Sequence, residues 1–434
     1  MKPFHLPKNF MLGTATASLQ IEGGDKNNSW YRWCRQKGRI ADSTRCDEAT
    51  DHWNRVDEDI VLMQQMHLQT YRMSLEWSRI EPQQGKFDPV AVAHYREEIE
   101  KLLTAGIRPL VSLHHFSNPL WLEDRGAWAN PQVVTAFEAY VGYVVERLGD
   151  LVCDWVTINE PNVYLAFGYL YGIWPPGLKN NLVKYFQGAR NMIRAHIAAY
   201  RKIHTLVHRH GFEKACVGVA HHLRVLESGS GRKVEKWAAL FLERYFHEIF
   251  VQGMAEGRLI FPLGRGYPFG SGRFQDFLGI NYYTRDMVFL HPALIRQGGL
   301  LQAKADAPCN DLGWELYPEG LYRLCRHYYH RYHQPIFILE NGTCDQADAF
   351  RSRYIYDHLV QIRRLLDEGV DVQRYYHWTL MDNFEWAEGL RARFGLIAVD
   401  YATQQRTLRA SGRFYGEICR QGGITARGIA DYLE

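Results

Sequence analysis

Pro335-Ile336-Phe337-Ile338-Leu339-Glu340-Asn341-Gly342 decides how this chain is read. Four apolar residues in a row, three of them β-branched or aromatic, predict a strand buried on both faces. The strand runs straight into a carboxylate, an amide and a glycine. A charge where a buried strand ends is costly unless it is paired or used. Standing alone, the segment would be explained by a solvated turn acid. Val152-Cys153-Asp154-Trp155-Val156-Thr157-Ile158-Asn159-Glu160-Pro161 repeats the design, however. Another apolar strand stops at Asn and Glu, and Pro161 bars it from continuing.

Working outward, helical stretches alternate with short apolar ones from end to end. Asp88-Pro89 predicts a capped helix start with a first-turn proline, and Gly106 its end. Val92, Tyr95, Ile99, Leu102 and Leu103 share one face of that helix. Asn130-Pro131 predicts a second start and Gly149 its close. Similar helices are expected over 184–210, 234–251, 318–331, 352–368 and 409–420. The strands between them are expected at Phe10–Thr14, Gln69–Leu75, Arg108–Leu113, Cys153–Ile158, Cys216–Ala220, Phe277–Tyr283, Ile336–Leu339 and Gln373–Thr379. Eight strands alternating with helices predict an α/β fold, a closed (β/α)8 TIM barrel with its active site at the carboxyl ends of the strands. The alternative, an open doubly wound sheet, lacks a phosphate-binding glycine loop after any strand. Gly264-Arg265-Gly266-Tyr267-Pro268-Phe269-Gly270 has the wrong spacing and no strand before it. With no interdomain linker visible, residues 1–434 are expected to form one domain, although the length would admit about three.

Composition narrows the function. The 51 Lys and Arg nearly balance the 48 Asp and Glu, which leaves no electrostatic footprint for nucleic acid or a membrane surface. The first residues, Met1-Lys2-Pro3-Phe4-His5-Leu6-Pro7, lack the apolar stretch of a signal peptide, and no apolar run is long enough to cross a bilayer. The eight cysteines are scattered without a C-x-x-C pair, as expected for reduced thiols in a cytoplasmic protein. Aromatic residues make up 14% of the chain, enough for a large core and for flat surfaces that cover sugar rings.

Polar residues gather at the expected carboxyl ends. Gln20 and Glu22 follow strand one, and Arg72 sits in strand two. His114 and His115 end strand three, and Asn159 and Glu160 end strand four. His221 and His222 follow strand five, Asn281 and Tyr283 close strand six, and Glu340 and Asn341 end strand seven. Trp378, Asp382, Asn383, Glu385 and Trp386 lie at or beyond strand eight. Their convergence on one rim predicts an active site. Two carboxylates on the ends of two parallel strands are what glycoside hydrolysis requires. His204, His208, His210 and His247-Glu248 show no metal-ligand pattern and are expected on helix surfaces. No cofactor or metal is expected.

Thr157-Ile158-Asn159-Glu160-Pro161, Ile338-Leu339-Glu340-Asn341-Gly342 and Asp382-Asn383-Phe384-Glu385-Trp386-Ala387-Glu388-Gly389 resemble the signature segments of glycoside hydrolase family 1, the retaining β-glycosidases. Gly13-Thr14-Ala15-Thr16-Ala17-Ser18-Leu19-Gln20-Ile21-Glu22-Gly23 is similar to that family's opening segment. The resemblance implies Glu340 as nucleophile and Glu160 as general acid/base, their carboxyl groups ~5 Å apart. It implies that Arg72 holds Glu340 charged, that Tyr283 donates a hydrogen bond to it, and that Asn159 binds the sugar 2-hydroxyl. Asn281 joins them in support. Glu340 would then raise the pKa of Glu160. Sugar recognition falls to Gln20, His115, Asn159, Glu385 and Trp386, with Trp378 beneath the ring. His114 has a core alternative, and Glu22 a bracing one.

The implied activity is that of a retaining exo-β-glycosidase for terminal β-D-glucosyl, or galactosyl or fucosyl, residues. Small β-glycosides or short oligosaccharides are the expected partners, and homo-oligomerisation is left open. A 6-phospho-β-glycosidase would carry a serine at Glu385 and a lysine and tyrosine shortly after; Ala392 and Phe394 stand there, with Arg391 and Arg393 nearby. A non-catalytic sugar-binding protein should lack one of the two glutamates, and a thioglucosidase should carry glutamine at Glu160. Transglycosylation is compatible with the same residues. Lys26–Cys34 and Asn118 depart from the commoner family pattern and are expected on the aglycone side.

Overall fold

The computed structural model describes residues 1–212, 214–290 and 300–434. Eight parallel strands close into a barrel: β1 Met11–Ala15, β2 Thr70–Ser74, β3 Arg108–Ser112, β4 Asp154–Asn159, β5 Cys216–His222, β6 Leu278–Asn281, β7 Ile336–Asn341 and β8 Val372–Trp378. Strands adjacent in sequence are adjacent in the sheet, and β8 pairs with β1 to complete the ring. The expected strands are these eight. Every position of β4 and β7 is buried, which is why both read as unbroken apolar runs. Glu340 and Asn341 lie within β7 rather than beyond it, because the ladder to β6 and β8 continues through register shifts.

The helices pack outside this ring. Asp88 caps Pro89–Thr104 by accepting from the Val90 amide. The helix expected from Asn130-Pro131 begins later, as Val133–Leu148; Asn130 instead accepts from the Gln132 amide in the turn before it. Between β1 and β2 lies His52–Gln65, a helix the apolar pattern does not reveal. Its buried face carries His52 and Asp59, paired at 2.7 Å, and Arg406 reaches Asp59 at 2.9 Å. Buried polar pairs dilute the periodicity on which a sequence reading depends. After β5, Lys233–Leu242 passes through a π-helical stretch, Glu243–Glu248, into Ile249–Glu256. His247 in that stretch is buried, not on the surface as expected, and its Nε2 faces the Arg224 amide at 3.4 Å.

The two ends of the barrel differ. At the amino end of β4, Asp154 accepts from Arg374 at 2.7 Å and from Arg108 at 2.5 and 2.9 Å, an ion cluster that ties β3, β4 and β8 together. At the carboxyl end the strands open into a deep cavity.

Candidate active site

Local backbone geometry aims the two glutamates. The β7 register slips between Ile338 and Glu340 against β6, and the β4 register slips between Val156 and Asn159 against β5. A bulge re-aims the side chains beside it. Glu160 follows in the left-handed region, with φ of +41°. That conformation costs a non-glycine residue about 1–2 kcal/mol. Pro161 already disfavours the right-handed alternative, and the Glu160 amide is tied to the Ala220 carbonyl at 2.8 Å. Gly342 follows Glu340-Asn341 because any Cβ there would collide with the Trp378 carbonyl oxygen.

Fully buried Arg72 donates to Oε1 of Glu340 at 2.5 Å and to Oδ1 of Asn159 at 2.6 Å. Tyr283 donates to the other Glu340 oxygen at 2.5 Å. Asn281 donates to Asn159 Oδ1 at 3.1 Å and to Glu160 Oε1 at 2.8 Å. The result is an unbroken chain of hydrogen bonds from Glu340 to Glu160. Because Asn159 Oδ1 takes two donors, its amide nitrogen must donate, and it meets Nε2 of His115 at 3.0 Å. The His115 ring proton is therefore on Nδ1, which has no partner. Gln20 spends its amide nitrogen on Asn383, the Phe384 carbonyl and Glu385, and its buried Oε1 is likewise unpartnered. One donor and one acceptor are thus held ready, a complement to hydroxyl groups.

The buried carboxyls of Glu160 and Glu340 share the charge of one guanidinium, that of Arg72, and the half-buried Glu385 lies beside them. Burial pushes Glu340 up to about 7, with Arg72 pulling against it and Glu160 adding to it. Burial and the Glu340 charge push Glu385 up to about 8. Burial also pushes Glu160 up, but His222, Asn281 and Arg72 outweigh it and hold this carboxyl below the usual range. Burial thus opposes the charge that Arg72 and Tyr283 were expected to secure on Glu340, and His222, Asn281 and Arg72 oppose the expected rise of Glu160. Desolvation of Glu340 exceeds the attraction of a single cation, and Glu160 has a partner, His222 at 3.0 Å, that sequence reading left without a role. The two carboxyls titrate as a pair.

Aromatic rings wall the site. His115 stacks on Trp378 at 5.8 Å and on Trp386 at 5.9 Å between centroids. Trp30 packs behind Trp386 at 4.9 Å. The segment holding Trp30, and Asn118 with it, does not line the cavity as expected. Asn118 is buried and holds His114, Glu123 and Tyr164 together. His114 takes its core reading. Glu22 takes its bracing one, on Arg79 at 2.8 Å and Tyr95 at 2.7 Å. His115, Glu160, Tyr283, Glu340, Trp378, Glu385 and Trp386 line one cavity of about 730 Å³. Gln20, Arg72, Asn159 and Asn281 stand behind that lining and set its hydrogen bonds.

Comparison with known proteins agrees with this arrangement. Residues 3–261 and 272–424 match the model of Glycosyl hydrolase family 1. Beta-glucosidase A of Thermotoga maritima is 31% identical over 96% of this chain and 98% of its own length. A beta-galactosidase of Pyrococcus woesei is 30% identical over 97% and 98%. Among solved structures, a beta-glycosidase from Pyrococcus horikoshii superposes with a TM-score of 0.89 at 34% identity, covering 99% of this chain and 98% of the other. A Thermotoga maritima beta-glucosidase in complex with glucoimidazole gives 0.87 at 29%, covering 97% and 100%.

Proposed function

The chain belongs to glycosyl hydrolase family 1, hydrolases of O-glycosidic bonds, and from that premise we propose that it is a retaining exo-β-glycosidase acting by double displacement on terminal β-D-glucosyl or closely related neutral residues. The observation that carries this reading is the asymmetry of the two glutamates. Glu340 has both oxygens held, one by Arg72 and one by Tyr283, so it is oriented as a nucleophile. Glu160 takes both of its protein donors on Oε1, which leaves Oε2 to carry the proton for the leaving group.

In the first step a Glu340 oxygen bonds to the anomeric carbon as the C–O bond to the aglycone breaks, and Glu160 gives its proton to the departing oxygen. In the second, Glu160 takes a proton from water, whose oxygen displaces Glu340. Glu160 must carry a proton when the aglycone departs, and the coupled Glu160–Glu340 pair holds that proton between them. His115 Nδ1, Gln20 Oε1 and Glu385 meet the sugar hydroxyls, Asn159 meets the 2-hydroxyl, and Trp378 and Trp386 cover the ring.

The phosphorylated-sugar alternative is disfavoured by where its cations go. Arg391 is paired with Glu388, and Arg393 is held by Asp382 at 3.2 Å and the Val399 carbonyl at 3.0 Å. Neither lines the cavity. The test is Glu340→Ala: hydrolysis of nitrophenyl β-glucoside should vanish, and azide should restore turnover with an α-glycosyl azide product. Activity within tenfold of wild type would remove Glu340 from its role.

A further inference from the structure

The cavity extends well past its polar end. Beyond the carboxylates the wall is apolar: Phe167, Leu170, Trp174, Phe186, Leu226 and Phe246. Two π-helical segments build much of it. Ala166–Tyr171 supplies Phe167, Leu170 and Tyr171, and Glu243–Glu248 supplies Tyr245 and Phe246. Such turns are rare in helices and gather at functional sites.

The apolar lining also continues out to solvent. Tyr171, Ile173, Leu182, Phe241 and Phe261 line the cavity while exposed by 45 to 67%. A continuous apolar surface running from a buried site to the outside marks a place where an apolar ligand lies. The charged groups on this wall are already engaged: Arg224 with Asp286 and His222, and Glu388 with Arg391. A second sugar placed here would be desolvated with few hydrogen bonds in return. A volume of about 730 Å³ is that of a site for a ligand larger than one sugar ring.

We propose that the preferred substrates are β-glycosides of a long, linear apolar aglycone, whose chain leaves the glycosidic oxygen along this wall and emerges over Phe241 and Phe261. The inference rests on the glycosidase reading above and adds the aglycone class. A chain, rather than a compact aryl group, is selected because apolar contact continues past the mouth, where only an extended group can reach it.

The test is a series of alkyl β-glucosides from methyl to decyl, each below its micelle concentration, beside cellobiose, naphthyl β-glucoside and nitrophenyl β-glucoside. The value of kcat/KM should rise about two- to fourfold per methylene, the upper figure being full burial of each group. Octyl glucoside should exceed cellobiose by at least a hundredfold. Phe241→Ser with Phe261→Ser, both at exposed positions, should lower the decyl-to-butyl ratio by about tenfold or more. A flat chain-length series, or cellobiose or naphthyl glucoside cleaved better than octyl, would overturn the aglycone proposal. Loss of nitrophenyl glucoside cleavage as well would instead overturn the glycosidase reading.

Discussion

His222 donates from Nδ1 to Oε1 of Glu160 at 3.0 Å, because Arg224 Nε, only a donor, faces the opposite ring nitrogen at 3.2 Å. Arg224 is itself held by Asp286. Other groups facing this carboxyl are the Asn281 amide, the Arg72 guanidinium, the Tyr283 hydroxyl and the Glu340 and Glu385 carboxyls. The ring supports the ionised form of Glu160. In His222→Phe, protons should leave the Glu160–Glu340 pair only at higher pH. The bell-shaped kcat/KM profile should move upward by roughly half to one pH unit, the worth of one hydrogen bond. His222→Asn, which keeps an N–H donor, should move it less. A profile that stays put, or moves down, would show that His222 does not tune the pair.

Glu160→Ala should separate substrates by leaving group. For alkyl glycosides kcat/KM should fall about 10²–10⁴-fold, the usual share of general acid catalysis. For a dinitrophenyl glycoside, whose oxygen departs without a proton, the fall should be slight. Azide should accelerate turnover of that substrate and yield a β-glycosyl azide. Equal losses across all leaving groups would reassign Glu160.

Glu385 offers a stability measurement. Its folded pKa of about 8 lies above the ordinary 4.5, so the protonated form favours the fold. That stability is present below pH ~4.5 and is lost as pH rises toward 8. Glu385→Gln is neutral throughout. Its unfolding free energy should gain on wild type between pH 5 and 8, by an amount of order 2–4 kcal/mol. Thermal melts of the two proteins across that range supply the comparison, and a gap that does not widen would place Glu385 in its ionised form.

Glu385→Ser addresses the substrate class. Removing a buried hydrogen-bonding pair should cost about 2–4 kcal/mol in kcat/KM on nitrophenyl β-glucoside. Wild type should ignore the 6-phosphate of that sugar, and the serine variant should not acquire it, because Arg391 and Arg393 are paired elsewhere. Preference of wild type for the phosphorylated sugar would show that one of these arginines leaves its carboxylate.

Much of the fold was legible from single segments. Ile336–Leu339 and Trp155–Ile158 announce buried strands because both faces of a barrel strand are covered, so polarity appears only where the strand meets the mouth. Glu160 and Glu340 stand out for that reason alone. The helix His52–Gln65 did not, since its buried face is partly ionic.

What the sequence by itself determined is which side chains reach the rim of the barrel, because strand length and the alternation of elements set that locally. Only the tertiary structure decided how those side chains share protons and which apolar side chains wall the cavity beyond them. Arg72 and Glu340 touch across 268 positions, and Glu160 and His222 across 62. Desolvation and hydrogen bonding depend on such neighbours, brought together only when the barrel closes. The apolar wall depends likewise on two π-helical segments from separate connections, which bring Phe167 and Phe246 to one cavity.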